Sequence, residues 1–114
     1  MADKVVSERL TLTQLSQKDF FASWAGTRSP EIIARAKQIV LEAIQNMQLL
    51  DSDADYEDRE EIIGDAVLRF NGLNEDNDNF IETPEREAIC QQLLDIAEAA
   101  GIEPDEELLN DRDW

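Results

Sequence analysis

Residues 29–50 read SPEIIARAKQIVLEAIQNMQLL, and this stretch decides the fold class. Ser29 is an N-cap residue, Pro30 suits the first helical position, and Glu31 favours the positive end of a helix. Ile32, Ile33, Ala36, Ile39, Val40, Ala43, Ile44, Met47 and Leu50 then follow the spacing of one helical face. A stripe of this length predicts the helix around which a core is built.

The flanking sequence continues in the same mode. Upstream, a first helix is expected from Thr13 to Ala25, capped by Thr13 or Ser16 and ended by Gly26, with Leu15, Phe20, Phe21 and Trp24 on one side. Downstream, Asp51-Ser52-Asp53-Ala54-Asp55 breaks the pattern. A third helix is expected from Tyr56 to Asn71, with Ile62, Ile63, Ala66, Val67 and Phe70 inward and Gly72 as its C-terminal cap. Asn74–Glu82 reads as a polar loop containing Phe80 and Ile81. Thr83-Pro84-Glu85 repeats the start signal of Ser29-Pro30-Glu31, and the fourth helix carries Ala88, Ile89, Leu93, Ile96 and Ala97 to a stop at Gly101. A last helical turn after Pro104 would bury Leu108 and Leu109. Sustained alternation of apolar and polar residues, the mark of a half-buried strand, is missing. The expectation is all-α: a compact single-domain bundle of four to five helices over residues 13–114, after a flexible segment at 1–12.

Composition narrows the function. The formal charge is −17, and it is unevenly placed. Residues 1–50 carry six basic and five acidic side chains, whereas residues 51–114 carry four basic and twenty-two acidic ones. Such a surface repels phosphate backbones and anionic lipid, so no direct nucleic-acid or membrane binding is expected; it suits cations or a basic protein partner. With no histidine, serine–histidine triads and histidine metal sites are excluded. The glycines are scattered, so no phosphate-cradling loop is present. The expectation is a protein that is not an enzyme. Cys90, the single cysteine, cannot form an internal disulfide, and with acids and amides around it reads as an inert thiol. Met1–Leu15 has no continuous apolar stretch, so a cytoplasmic location is expected.

One stretch supplies a sharper handle. Residues 74–85 read NEDNDNFIETPE, with side-chain oxygens at alternate positions (Asn74, Asp76, Asp78), then Glu82 and Glu85, and Ile81 as a lone aliphatic residue among them. Phe70 and Leu73 precede the stretch, and Ile89 and Leu93 follow it. The segment 62–94 resembles an EF-hand, in which a twelve-residue loop between two helices holds calcium through oxygen ligands. The resemblance implies calcium as the ion. It implies ligands from Asn74, Asp76, Asp78, the Phe80 carbonyl, Glu82 and a bidentate Glu85, with Ile81 anchoring the loop to the core. Two positions depart from the family pattern. Asn79 stands where a glycine makes the turn, and Asn74 stands where an aspartate adds a charge. A second loop from Asp51, with Asp53 and Asp55, fails at the turn, the anchor and the bidentate ligand, so a lone EF-hand, or one that pairs across a dimer, is implied. The alternative reading of Asn74–Glu85 is an ordinary solvated acidic loop.

Two functions from different classes follow. One is a calcium-binding acidic helical protein, sensor or buffer, using the Asn74–Glu85 loop. The other is an acidic interaction module that binds a basic partner without metal, as an inhibitor, an immunity-type protein or a nucleic-acid mimic does. The acidic run Asp51–Glu61 reads as a solvated helix start, with a weak cation site or a docking face for a basic partner as the alternative, and Glu103–Asp113 reads as a solvated tail.

Overall fold

The computed structural model describes residues 12–16, 21, 24, 26–50, 54–103, 105–112 and 114. In chain order the elements are α1 (Leu12–Ser16), α2 (Pro30–Leu49), α3 (Tyr56–Asp76), α4 (Thr83–Ala99) and a 3-10 turn at Glu106–Leu109. The protein is all-helical among these residues, with no strand. Three long helices carry it, not the four to five expected. Of the anticipated helix from Thr13 to Ala25, α1 is the part that the described residues show as α-helix, residues 17–20, 22, 23 and 25 lying outside them, and the last helical turn is of 3-10 type. Phe21, with φ of 60°, cannot continue a helix. Segment 1–11, Phe20 and Asp51–Asp53 lie outside the described residues.

The start of α2 follows the sequence closely. Ser29 is its N-cap and its Oγ accepts from the Ile32 N–H at 3.2 Å. Ala36, Ile39, Val40, Ala43, Ile44 and Met47 are buried, and Leu50 ends the helix in extended backbone. Across from it, α3 buries Ile63, Ala66, Val67, Phe70 and Leu73. The two helices are tied at the surface by Arg69, whose Nη1 donates to Glu42 Oε1 at 2.7 Å. Gln38 donates to the other Glu42 oxygen at 2.7 Å. The Gln38 amide and Arg69 together hold the Glu42 carboxyl below its ordinary pKa.

The end of α3 corrects the sequence reading. Gly72 is not a cap; the helix runs on to Asp76. A glycine weakens a helix interior without ending it, and here Leu73, 1% exposed, draws the next turn into the core. The chain turns instead at Asn77–Asn79. Asn77 Nδ2 donates to the Leu73 carbonyl at 2.9 Å. Asp78 and Asn79 adopt φ of 61° and 54°, a left-handed backbone that asparagine and aspartate tolerate better than most residues.

Glu82, not Thr83, is the N-cap of α4. Glu85 Oε1 accepts from the Glu82 N–H at 3.1 Å, as the third helical residue of a capping box does. The stop at Gly101 stands as expected: its φ of 84° reverses the chain. Ile102 N–H then donates to the Ala97 carbonyl at 2.8 Å and Gly101 N–H to Glu98 at 3.1 Å, the paired bonds of a Schellman motif. Ile102 is buried beneath this turn and Leu109 is fully buried beyond it. Aromatic rings close the ends of the core: Phe21 stacks on Trp24 at 4.4 Å between centroids, and Trp24 meets Phe80 edge-on at 5.9 Å. Cys90 is half-buried against this core. No helix among the described residues is long and apolar enough to cross a membrane.

Candidate functional site

The stretch 74–85 is built around Asn74. This residue lies in the last turns of α3 and is 5% exposed, so its amide needs partners. Its Oδ1 accepts from the Ile81 N–H at 2.8 Å, and its Nδ2 lies 3.4 Å from Asn79 Oδ1. Its carbonyl accepts from Asn79 at 2.8 Å and from Asn77 at 3.2 Å. One side chain and one carbonyl thereby fold the whole reversal from α3 to α4.

Several expected features coincide with this geometry. Ile81 is buried, 6% exposed. The backbone is left-handed at Asn79, where the EF-hand resemblance demands a turn, and also at Asp78. The following helix begins at Thr83, the tenth position of the loop.

The oxygens of the stretch come from the end of α3, the turn and the start of α4. Asn74 and Asp76 sit on α3. Asp76 faces Arg35, with 3.5 Å between Nη2 and Oδ2. Asp78 and Glu82 are exposed, and Phe80 is buried with its ring against Trp24. No group of three or more acidic or cysteine side chains disposed for a metal occurs among the described residues. Glu85 is engaged on both oxygens. Oε1 caps Glu82, while Oε2 accepts from Arg28 Nη2 at 2.9 Å and Nε at 3.1 Å. The same guanidinium lies 3.6 Å from Glu82 Oε1 and 5.4 Å from the centre of the Phe80 ring. Burial pushes the Glu85 carboxyl up, but the Arg28 hydrogen bonds and the N–H groups of Glu82 and Glu85 outweigh burial and hold it below its ordinary pKa.

No local sequence signal marks Arg28 as part of this site. Its position is fixed by the turn after Trp24, where the Arg28 N–H donates to the Trp24 carbonyl at 2.9 Å and Gly26 takes φ of 86°. The guanidinium places positive charge on the last two acidic residues of the loop, where the EF-hand resemblance implies an ion. A cation binding Glu85 in bidentate fashion must displace it.

A second feature joins acidic runs that look independent in sequence. An open groove of about 980 Å³ lies between α3 and the C-terminal turn. Glu60, Glu61 and Asp65 line it from α3; Glu103, Asp105, Glu107 and Asp111 line it from the other side. Leu68, Ile102 and Leu108 contribute apolar surface, and among the described residues no lysine or arginine lines it. Tyr56 marks one end, its hydroxyl donating to the Gly101 carbonyl at 3.1 Å. Only the fold shows that the two runs face each other.

Residues 5–114 match the model of a protein family described as a family of unknown function (DUF5713). No curated protein and no solved structure matches the chain.

Proposed function

The chain belongs to this family of unknown function, and from that premise we propose that it is an acidic interaction protein that binds a basic surface on another protein. The observation that carries the reading is the groove, where carboxylates from two distant parts of the chain face one another with no basic side chain between them among the described residues. The arginines nearby support it, because several are spent internally: Arg69 on Glu42, Arg86 on the Trp114 carbonyl, Arg112 on the Leu109 carbonyl. The surplus acidity of residues 51–114 is left for a partner. Inhibitors, immunity-type proteins and nucleic-acid mimics work this way: the summed field speeds encounter with a basic surface, and salt weakens it. The test is capture of basic proteins on the immobilised chain at low ionic strength, with stepwise salt elution. Retention of a defined basic protein, weakened when Asp65 and Glu107 are changed to lysine, is the expected result. No basic protein retained at low salt would sink the reading.

A second reading, calcium binding at Asn74–Glu85, is favoured by the left-handed Asn79, the buried Ile81 and the start of α4 at Thr83. It requires Arg28 to leave Glu85 and Asp76 to turn from Arg35. Binding would then fix the angle between α3 and α4, as a sensor or a buffer. Calorimetric titration of the metal-stripped protein with calcium, in excess magnesium, decides it. A stoichiometric heat removed by Asp78→Ala or Glu85→Ala supports the loop site; no heat, or a heat indifferent to both changes, removes it.

A further inference from the structure

We infer that the groove between α3 and the C-terminal turn receives a basic amphipathic helical segment of a partner protein, one with lysine or arginine on both sides of an apolar stripe. This rests on the proposed function and specifies where and by what chemistry the partner is recognised.

The groove pairs charge with apolar surface in a way a solvated acidic face does not. Large hydrophobic side chains exposed among the described residues are Leu49, Tyr56 and Leu68, and the last two line the groove, at 58% and 54% exposed. Gly64 lies midway along the α3 side, and a Cβ added there meets nothing within 4 Å. The floor is therefore open next to Leu68, where a partner side chain can enter. The volume of about 980 Å³ is at the upper end of ordinary ligand pockets, roughly 300–1,000 Å³. The groove is also open to solvent, which suits a length of chain better than an enclosed metabolite.

Charge selects among occupants. Nucleic acid and anionic ligands are repelled by both walls. A second copy of the chain brings its own −17. A bare cation leaves the apolar floor unused. A basic amphipathic helix satisfies both, laying its apolar side chains toward Leu68 and Gly64 while its cations meet Asp65 on one wall and Glu107 on the other.

The probe is a synthetic peptide of leucine and lysine, about 18 residues or five helical turns long, with leucine confined to one face. A peptide of identical composition, permuted to scatter the leucines, is the comparison. Binding to the full chain is followed by fluorescence anisotropy and by amide chemical shifts at low and moderate salt. The amphipathic peptide is expected to bind more tightly than the permuted one and to shift amides along α3 and residues 102–111. Leu68→Ser, Gly64→Phe and Asp65→Lys are each expected to weaken it by about tenfold. Glu87→Lys, the same charge change on an exposed position of α4 outside the groove, should leave it nearly unchanged. Equal binding of both peptides, or equal loss from Glu87→Lys and Asp65→Lys, overturns the groove while leaving the acidic-partner reading standing. If neither peptide binds at low salt, both fall.

Discussion

Arg28 and Glu85 are 57 residues apart in sequence, yet two guanidinium nitrogens of Arg28 share one Glu85 oxygen, at 2.9 and 3.1 Å. The contact fastens the turn before α2 to the first turn of α4. Both side chains are largely withdrawn from water, 24% and 9% exposed, so solvent screens the pair less than a surface bridge.

Removing either member leaves the other charge poorly compensated. Arg28→Gln and Glu85→Gln are each expected to lower unfolding free energy by about 1–3 kcal/mol, the usual range for an unsatisfied buried polar group. The double variant should lose less than the sum of the two. Denaturant titration of the four proteins measures this coupling. Strict additivity would mean that the two side chains do not act as a pair.

The same contact sets a dependence on pH. The folded pKa of Glu85 lies below its ordinary value, chiefly because Arg28 overcomes burial. Its contribution is therefore complete above the unfolded carboxylate value of about 4.3 and is lost as pH falls through the lower folded value. Glu42, held low by Gln38 and Arg69, acts in the same direction. Stability should decline below about pH 4.3, and the decline should be shallower in Glu85→Gln. Identical acid profiles for the two proteins would show that Glu85 does not titrate abnormally.

Asn74→Ala should destabilise by about 1–3 kcal/mol, because the buried Ile81 N–H loses its acceptor. Asn74→Asp keeps an oxygen in the same place and should retain more stability. It also supplies the first-position aspartate of the EF-hand pattern, so the second reading expects tighter calcium binding from it. Thermal unfolding with and without calcium reports both effects.

Glycines give a test of opposite signs. Gly64 and Gly72 lie inside α3 with nothing within 4 Å of an added Cβ. Alanine at either should raise stability by about 0.5–1 kcal/mol. Gly101→Ala should lower it by about 1–2 kcal/mol, because its φ of 84° is left-handed. Melting temperatures of the three variants order themselves accordingly.

How much of this is legible in the chain depends on range. At α2, cap, proline and stripe agree within a few residues, so the element reads directly. Gly101 reads as a stop for the same reason. Gly72 misleads because its role turns on Leu73, whose burial depends on helices distant in sequence. Thr83 misleads because Glu85 reaches back one residue further, to Glu82. In the site, Ile81 and the start of α4 are local signals. Arg28 carries none: nothing around Thr27-Arg28-Ser29 points 57 residues ahead. The groove is hidden likewise, since Asp65 and Glu107 acquire a common meaning only when the Gly101 turn folds one run across the other.

Trp24, 3% exposed, presents its indole to Phe80 at 5.9 Å, and Phe80 also lies beneath the Arg28 guanidinium. The loop therefore carries its own optical probe. A water-shielded indole emits toward the blue, and any event that draws Arg28 off Phe80 or lifts the ring from Trp24 must change that emission. With Trp114 replaced by phenylalanine to remove the other indole, a single fluorescence trace would follow the loop in real time, whether the disturbing agent is acid, calcium or a partner.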